Sequence, residues 1–170
     1  MRPRVCLFAS AVLILLINAA PLPAATAESV NLASVDACSL LTQAELSAAV
    51  GAPMDSYTHD FPPGGATNAC TWTRPPPRGA PPPTLILLQL WVMPFAERIF
   101  EADKYSAGQE NVIGVSGLGD DAYRAQIGPM TILNVKKGSI EVQVTWVGST
   151  DHQTVMDAEK TIAAQVLSEL

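Results

Sequence analysis

The stretch MTILNVKKGSIEVQVTWVG, residues 130–148, has a pattern that predicts two β-strands joined by a tight turn. Apolar and polar residues alternate through its second half, as in a strand that packs one face against a core. The Lys-Lys-Gly-Ser segment between the halves supplies the turn. The apolar residues that flank this turn are Ile132, Val135, Ile140, Val142, Val144 and Trp146, and one face of the hairpin is expected to lie in the core. The outward positions on the second strand are expected to be Glu141, Gln143 and Thr145.

Further strands are predicted on the N-terminal side of this hairpin. Residues 69–74 (ACTWTR) have the composition of a strand, and a short strand fits around residues 55–59. The nearly all-apolar run TLILLQLWV, residues 84–92, is typical of a strand at the centre of a sheet. One more strand is expected to begin near Ala122 and to lead into the hairpin. Because tight turns connect these strands, we expect an antiparallel sheet.

Three helices are predicted around the sheet. Thr42 and Glu45 have the spacing of a capping box, and Gly51 supplies the end of that first helix. Pro94 is expected to open the second helix, and residues 151–170 to form the third. The second helix is expected to bury Phe95, Ile99 and Phe100 and to expose Glu97, Arg98, Glu101 and Lys104. The apolar stripe of the third helix is Val155, Ile162, Val166 and Leu170.

We therefore predict a single α+β domain over residues 36–170. It has one antiparallel sheet of about five strands, with three helices packed mainly on one face. The segment RPPPRGAPPP, residues 74–83, is expected to be a surface loop, because proline lacks the backbone donor that a sheet interior or a helix requires. A stiff connection is preferred to the alternative of a docking ligand. Residues 28–35 are expected to be a flexible N-terminal segment.

The first 27 residues have the features of a secretory signal peptide. Two arginines precede an apolar core over residues 5–17, and Ala-Thr-Ala at residues 25–27 provides the small residues that a signal peptidase requires. We expect cleavage before Glu28 and export to the periplasm or the medium. The apolar core is shorter than the ~20 residues of a membrane-spanning helix, so no stable membrane insertion is expected after cleavage.

Three roles are considered for the cysteines that remain after Cys6 leaves with the signal. A lipid anchor requires a cysteine directly after the apolar core, whereas a long segment of polar and mixed residues separates that core from Cys38. Zinc requires four clustered ligands, and only His59 and His152 could accompany the thiols. Export to an oxidising compartment instead favours a disulfide between Cys38 and Cys70. In the chain-entropy model this bridge stabilises the fold by roughly 3–4 kcal/mol.

The charge of the chain is acidic, with 16 Asp and Glu against 10 Lys and Arg. Such a balance repels nucleic acid, so no nucleic-acid partner is expected. The segment GLGDDA, residues 117–122, fits a dinucleotide fingerprint, but Gly128-Pro129 leaves no room for the helix that this motif requires. We expect instead a glycine-bearing turn that delivers a strand. No metal ion, cofactor or catalytic residue is predicted.

Two sets of side chains are candidates for a functional site, one catalytic and one for binding. His59 or His152 with Asp120 or Asp121 could serve a small secreted hydrolase, although any chain of this size contains such residues. A speculative binding surface consists of Trp72, Asp120, Asp121 and Tyr123. For the tryptophans as a group, a place in the core is preferred to a role in sugar binding.

Three segments together resemble a family of small exported bacterial proteins, many of them lipoproteins and mostly actinobacterial, whose domain has no assigned function. They are DACSLLTQAEL (residues 36–46), NACTWTR (68–74) and VSGLGDDAYRA (115–125). The matching positions are Asp36, Cys38, Leu40, Leu41, Cys70, Trp72, Gly117, Leu118, Gly119, Asp120, Ala122 and Tyr123. The resemblance implies a disulfide-linked frame and no catalytic residues. The lipid-accepting cysteine of many members is missing here.

The function predicted from these observations is that of an exported, non-enzymatic domain, periplasmic or secreted. Its expected partner is an unidentified envelope protein or a small ligand. The alternatives are the small hydrolase described above and an adhesion or assembly factor that uses a sheet edge or the proline-rich loop.

Overall fold

The computed structural model describes residues 35–55, 57–60, 68–74, 86–148 and 152–170. The predicted signal peptide, nearly all of the N-terminal segment 28–35 and the body of the proline-rich loop lie outside these residues. Within the described ranges, no helix has the length and apolar character needed to cross a membrane.

A seven-stranded antiparallel sheet in the order β1-β2-β3-β7-β6-β5-β4 organises the described chain. The strands are β1 Tyr57–Asp60, β2 Asn68–Arg74, β3 Ile86–Pro94, β4 Val112–Gly114, β5 Asp121–Ile127, β6 Met130–Lys137 and β7 Ile140–Val147. The predicted hairpin is confirmed as β6-β7, and β3 pairs with β7 at the centre. Edge strand β1 overlaps the short strand expected around residues 55–59. The sheet exceeds the expected five strands because the edge strand β4 was not expected, and three residues are too short to give a clear alternating pattern.

The helices are α1 Gln43–Val50, α2 Glu97–Ser106 and α3 His152–Glu169. The capping box of α1 is confirmed, since the Thr42 side chain accepts from the backbone N–H of Glu45 and the Glu45 carboxylate accepts from that of Thr42. Gly51 ends α1 with a φ of 70°, a conformation that glycine adopts without a Cβ clash. Helix α2 begins later than expected, because Pro94 is the last residue of β3.

The main core lies between one face of the sheet and the helices α1 and α3. Trp72, Leu90 and Val144 are fully buried on this face. The stripe of α3 packs against them, with Val155, Ile162 and Val166 buried as predicted. Two of the three helices thus share one face, in line with the expectation.

Helix α2 lies on the opposite face and forms a smaller core of its own. Neighbouring residues of a strand point to opposite faces, so Tyr123 faces α2 whereas Arg124 faces α3. Phe100 packs edge-on against Tyr123 with the ring centroids 4.9 Å apart. Helix α2 docks through Phe100, Lys104 and Ala107, which are one turn apart. Ile99, expected to be buried, is therefore 56% exposed.

Two of the side chains expected to point to solvent from β7 are buried. Glu141 is 2% exposed and Thr145 is 6% exposed. Their face of the sheet is the one that carries α2, and that second layer was not expected there. The prediction of outward, solvated positions is therefore wrong for these two residues.

Cys38 and Cys70 form the expected disulfide, with an S–S distance of 2.08 Å and a Cα–Cα distance of 5.1 Å. The bridge joins a short 3₁₀ turn, Ala37–Ser39, to β2. Both cysteines are buried in the main core. The bond therefore fastens the segment before α1 to the sheet.

Candidate functional site

A row of side chains in register crosses the α2 face of the sheet. Tyr123 on β5 lies opposite Asn134 on β6, and Asn134 lies opposite Gln143 on β7. Gln143 in turn lies opposite Trp91 on β3. Directly opposite residues of an antiparallel sheet point to the same face. The row therefore begins at Tyr123 beneath α2 and ends at Trp91 on β3.

A cleft of about 170 Å³ lies where this row meets α2. We call it the α2 cleft. Its polar lining residues are Asp103, Ser106, Tyr123, Asn134 and Gln143. Tyr123 and Asn134 are buried in the floor, whereas Asp103 and Ser106 are exposed at the rim. Alanine and isoleucine side chains complete the wall. A space of this size has room for several water molecules or one small organic group.

The floor of the α2 cleft holds an unpaired hydrogen-bond acceptor. Asn134 Nδ2 donates to the Tyr123 hydroxyl oxygen over 2.6 Å, and both residues are 2% exposed. Among the described residues, no group donates to Asn134 Oδ1. A buried polar atom without a partner costs roughly 1–3 kcal/mol. A molecule that donates to this oxygen would recover that free energy.

Acidic groups around the α2 cleft have raised pKa values. Burial raises the pKa of Tyr123, and the charges of Asp103 and Glu141 raise it further. Partial burial at the rim also raises the pKa of Asp103 above its ordinary value. Burial, followed by the charge of Asp103, raises the pKa of Glu141 to about 7. These three groups therefore act on one another, and Glu141 titrates near neutral pH.

The two lysines of this face are held by other carboxylates. Lys104 Nζ lies 3.0 Å from both Glu101 and Asp121. Lys136 Nζ lies 3.6 Å from Glu97 and 4.4 Å from the centre of the Phe95 ring. Within the described part of the chain, neither Asp103 nor Glu141 is in an ion pair. The α2 cleft is therefore rich in hydrogen-bond acceptors. Asp103 at its rim has no ion-pair partner in the described chain, and Glu141, which does not line the cleft, interacts electrostatically with Asp103 and Tyr123.

Of the speculative surface of Trp72, Asp120, Asp121 and Tyr123, the structure brings together Asp121 and Tyr123, which both contact Lys104, and it separates Trp72 from them. Trp72 is fully buried in the main core, while Tyr123 is buried on the opposite face, in the smaller core beneath α2. Asp120 Oδ2 accepts from the Gly138 backbone over 2.6 Å, and Asp121 pairs with Lys104. Trp72 points to the other face because it is in register with Leu88, whose side chain packs in the main core.

The histidine pairings of the hydrolase alternative are not favoured by the backbone. The side chains of His59 and His152 lie outside the described residues. His59 is on β1, five strands from Asp121 on β5, which at the usual strand spacing is roughly 24 Å. His152 begins α3 beyond the Val147 end of β7, whereas Asp121 lies near the other end, roughly 20 Å away along the strands.

Four residues around the α2 cleft were not predicted from the sequence to have a functional role. They are Asp103, Asn134, Glu141 and Gln143. One signal was present, because Asn134 interrupts the apolar half of the hairpin and asparagine is depleted in strands. A polar residue in the middle of an apolar strand points either to a buried network or to a binding site.

The sequence matches no protein-family model, and no curated protein matches it. The resemblance to small exported bacterial proteins therefore stays a prediction.

Proposed function

We propose that this chain is an exported, non-catalytic domain whose α2 cleft binds a small ligand or a small group of an envelope component. One observation carries the proposal: the buried, unpaired Oδ1 of Asn134 in the floor of a cleft. The raised pKa values of the surrounding acids support it, because such groups cluster at functional sites.

Binding is preferred to catalysis because of the groups that line the cleft. Ser106 is the hydroxyl at its rim, and its Oγ donates to the Ala102 carbonyl over 2.8 Å. A serine nucleophile requires a hydrogen bond to a base instead. The amide side chains of Asn134 and Gln143 orient ligands by hydrogen bonding and do not transfer protons at neutral pH.

Export is supported by two independent features. The N-terminal sequence has the charge, apolar core and small residues of a signal peptide. The Cys38–Cys70 disulfide is typical of proteins that work in oxidising compartments. The intact mass of the protein recovered outside the cytoplasm tests this part. We expect a chain that begins at Glu28 and takes up no alkylating agent before reduction; a lipid-modified Cys38 would contradict it.

The binding function is tested by NMR of the side-chain amide of Asn134. Three four-carbon probes are added to the disulfide-bonded protein: butylammonium, 1-butanol and butyrate. We expect at least one of them to shift the Asn134 signal in a saturable manner. We also expect Ala107→Leu to weaken that response, because Ala107 lines the α2 cleft and a larger side chain would fill it. If all three probes leave the signal in place, the proposed function is wrong.

A further inference from the structure

Building on the proposed function, we propose that the α2 cleft binds a small organic cation through a primary ammonium group.

The acceptors of the cleft match the hydrogen-bonding capacity of an ammonium group. Asn134 Oδ1 is unpaired in the floor, and the carboxylate of Asp103 is exposed at the rim. The amide oxygen of Gln143 provides a third acceptor on the same face. An ammonium group has three N–H donors and no acceptor. It can therefore donate to all three oxygens, whereas a hydroxyl has one donor.

The charges of the cleft also favour a cation. Lys104 and Lys136 are directed to Glu101, Asp121 and Glu97, so their charge is balanced outside the cleft. Asp103 and the buried Glu141 have no cation of their own among the described residues. A buried carboxylate is costly unless an opposite charge accompanies it. A bound ammonium group would supply that charge.

The protein already holds one ammonium group in this manner. Lys104 Nζ lies 4.5 Å from the centre of the Phe100 ring and 5.2 Å from that of Tyr123, between two carboxylates. Aromatic faces attract cations at such distances. The α2 cleft also combines Tyr123 with a carboxylate, that of Asp103. In the cleft a ligand, and not a lysine of the chain, would supply the ammonium group.

The wall of the cleft fits a short alkyl chain attached to the ammonium group. Ala125 and Ile132 contribute apolar surface, and Ile127 is 46% exposed where the cleft meets solvent. With about 170 Å³ of space, a chain of a few carbons is accommodated and a sugar ring or a peptide is not.

Binding is expected to depend on pH because the nearby acids must be ionised. The neighbours of Glu141 on this face come from four elements: Asp103 of α2, Tyr123 of β5, Lys136 of β6 and Met93 of β3. The Lys136 charge is directed to Glu97, so Asp103 and Tyr123 dominate the surroundings of Glu141. As pH rises from 5.5 to 8, the cleft gains negative charge. The affinity for an ammonium group should rise several-fold over that range.

The test is calorimetric titration of the disulfide-bonded protein at constant ionic strength, with butylammonium chloride, 1-butanol and sodium butyrate at pH 8. We expect butylammonium to bind at least tenfold more tightly than 1-butanol, and butyrate to bind more weakly than either. Asp103→Asn should reduce butylammonium to the level of 1-butanol. This variant should fold, because Asp103 is exposed. The matched control is Asp157→Asn, an exposed position on α3, which should leave binding unchanged.

The outcomes separate this inference from the proposed function. If 1-butanol or butyrate binds as tightly as butylammonium, the cleft is a binding site but not a cation site, and the inference is overturned alone. An unchanged affinity in Asp103→Asn also overturns it. If no probe binds and none shifts the Asn134 signal, both the inference and the proposed function fail.

Discussion

Glu141 is a carboxyl group in surroundings that penalise its ionised form. It is 2% exposed, and burial raises its pKa from an ordinary value of 4.5 to about 7. In the unfolded chain the group loses its proton near pH 4.5, whereas in the folded protein it keeps the proton to about pH 7. Glu141 therefore imposes no penalty below pH 4.5, and its cost to folding grows as pH rises to about 7.

The first prediction follows from this difference in pKa. Glu141→Gln should stabilise the protein at pH 8 by about 2–3 kcal/mol, because it removes the cost of ionising a buried group. At pH 4.5 the same substitution should change stability little. Urea denaturation at both pH values measures the effect. The control is Glu101→Gln on the exposed side of α2, expected to cost less than about 1 kcal/mol at both. An equal effect of Glu141→Gln at the two pH values would be incompatible with the raised pKa.

Gly119 is the residue that explains the GLGDDA segment. Its φ is +55°, and a Cβ at this position would lie 2.1 Å from the Lys136 carbonyl oxygen. The same carbonyl accepts from the Asp120 N–H over 2.7 Å. The glycine thus allows the turn to approach β6 closely, and β5 begins directly after this turn, at Asp121. This is the turn that the sequence predicted in place of a dinucleotide site.

The second prediction contrasts the two glycines of that segment. Gly119→Ala should destabilise the protein by about 2 kcal/mol or more. The alanine would have to adopt a positive φ, and the backbone near Lys136 would have to move away from its Cβ. Gly117→Ala should cost only about 1 kcal/mol, because its φ is +82° but its surroundings are open. Thermal or urea denaturation compares the two variants. Equal losses would show that the close approach to Lys136 is unimportant.

Among the elements, α3 is fixed to the sheet by a buried ion pair as well as by its apolar stripe. Arg124 Nε donates to Glu159 Oε2 over 2.9 Å, and the Thr131 hydroxyl donates to Glu159 Oε1. Glu159 is fully buried. The contacts connect α3 with β5 and β6 on the face opposite the α2 cleft. Stability of α3 on the sheet should therefore depend on both partners being present.

The third prediction concerns this ion pair. Arg124→Met leaves Glu159 buried without a cation and should cost about 3–5 kcal/mol. Replacing both partners, Arg124→Met with Glu159→Leu, should recover much of that loss, because an apolar pair needs no charge compensation. The free energies of unfolding from urea denaturation give the comparison. A double variant as unstable as the single one would contradict the argument.

Strands β3, β6 and β7 and helix α1 could be predicted because their local patterns and their tertiary packing agree. Helix α2 could be predicted as a helix but not placed on the sheet, since Ile99 and Phe100, with Phe95 just before the helix, allow more than one docking face. Only the distant Tyr123 decides that Phe100 faces the sheet. The α2 cleft depends on this placement. Its residues come from four separate elements, and no local motif connects them.

At the scale of the whole molecule, two layers of unequal size lie on the sheet. The larger one holds the disulfide and the main core. The smaller one holds α2 and the cleft. This arrangement separates the part that stabilises the fold from the part proposed to bind. Changes on the α3 side should therefore alter stability without altering the affinity of the cleft.

The fourth prediction concerns the disulfide. Replacing both cysteines, Cys38→Ser with Cys70→Ser, should lower the free energy of unfolding by about 3–4 kcal/mol, because the unfolded chain is then less constrained. Butylammonium affinity should stay unchanged while the variant is folded. Urea denaturation and calorimetry on the same preparation measure the two quantities. A large loss of affinity in the folded variant would contradict the separation of the layers.

Carbon NMR of the Glu141 carboxyl group, with and without saturating butylammonium, measures whether its pKa responds to a cation in the α2 cleft. In the free protein we expect a pKa of about 7. With the ammonium group bound we expect a lower pKa, because a nearby cation favours the ionised carboxylate. A pKa near 4.5 in the free protein, or a value that butylammonium leaves unchanged, would contradict the claim that the α2 cleft is an acidic site that binds cations.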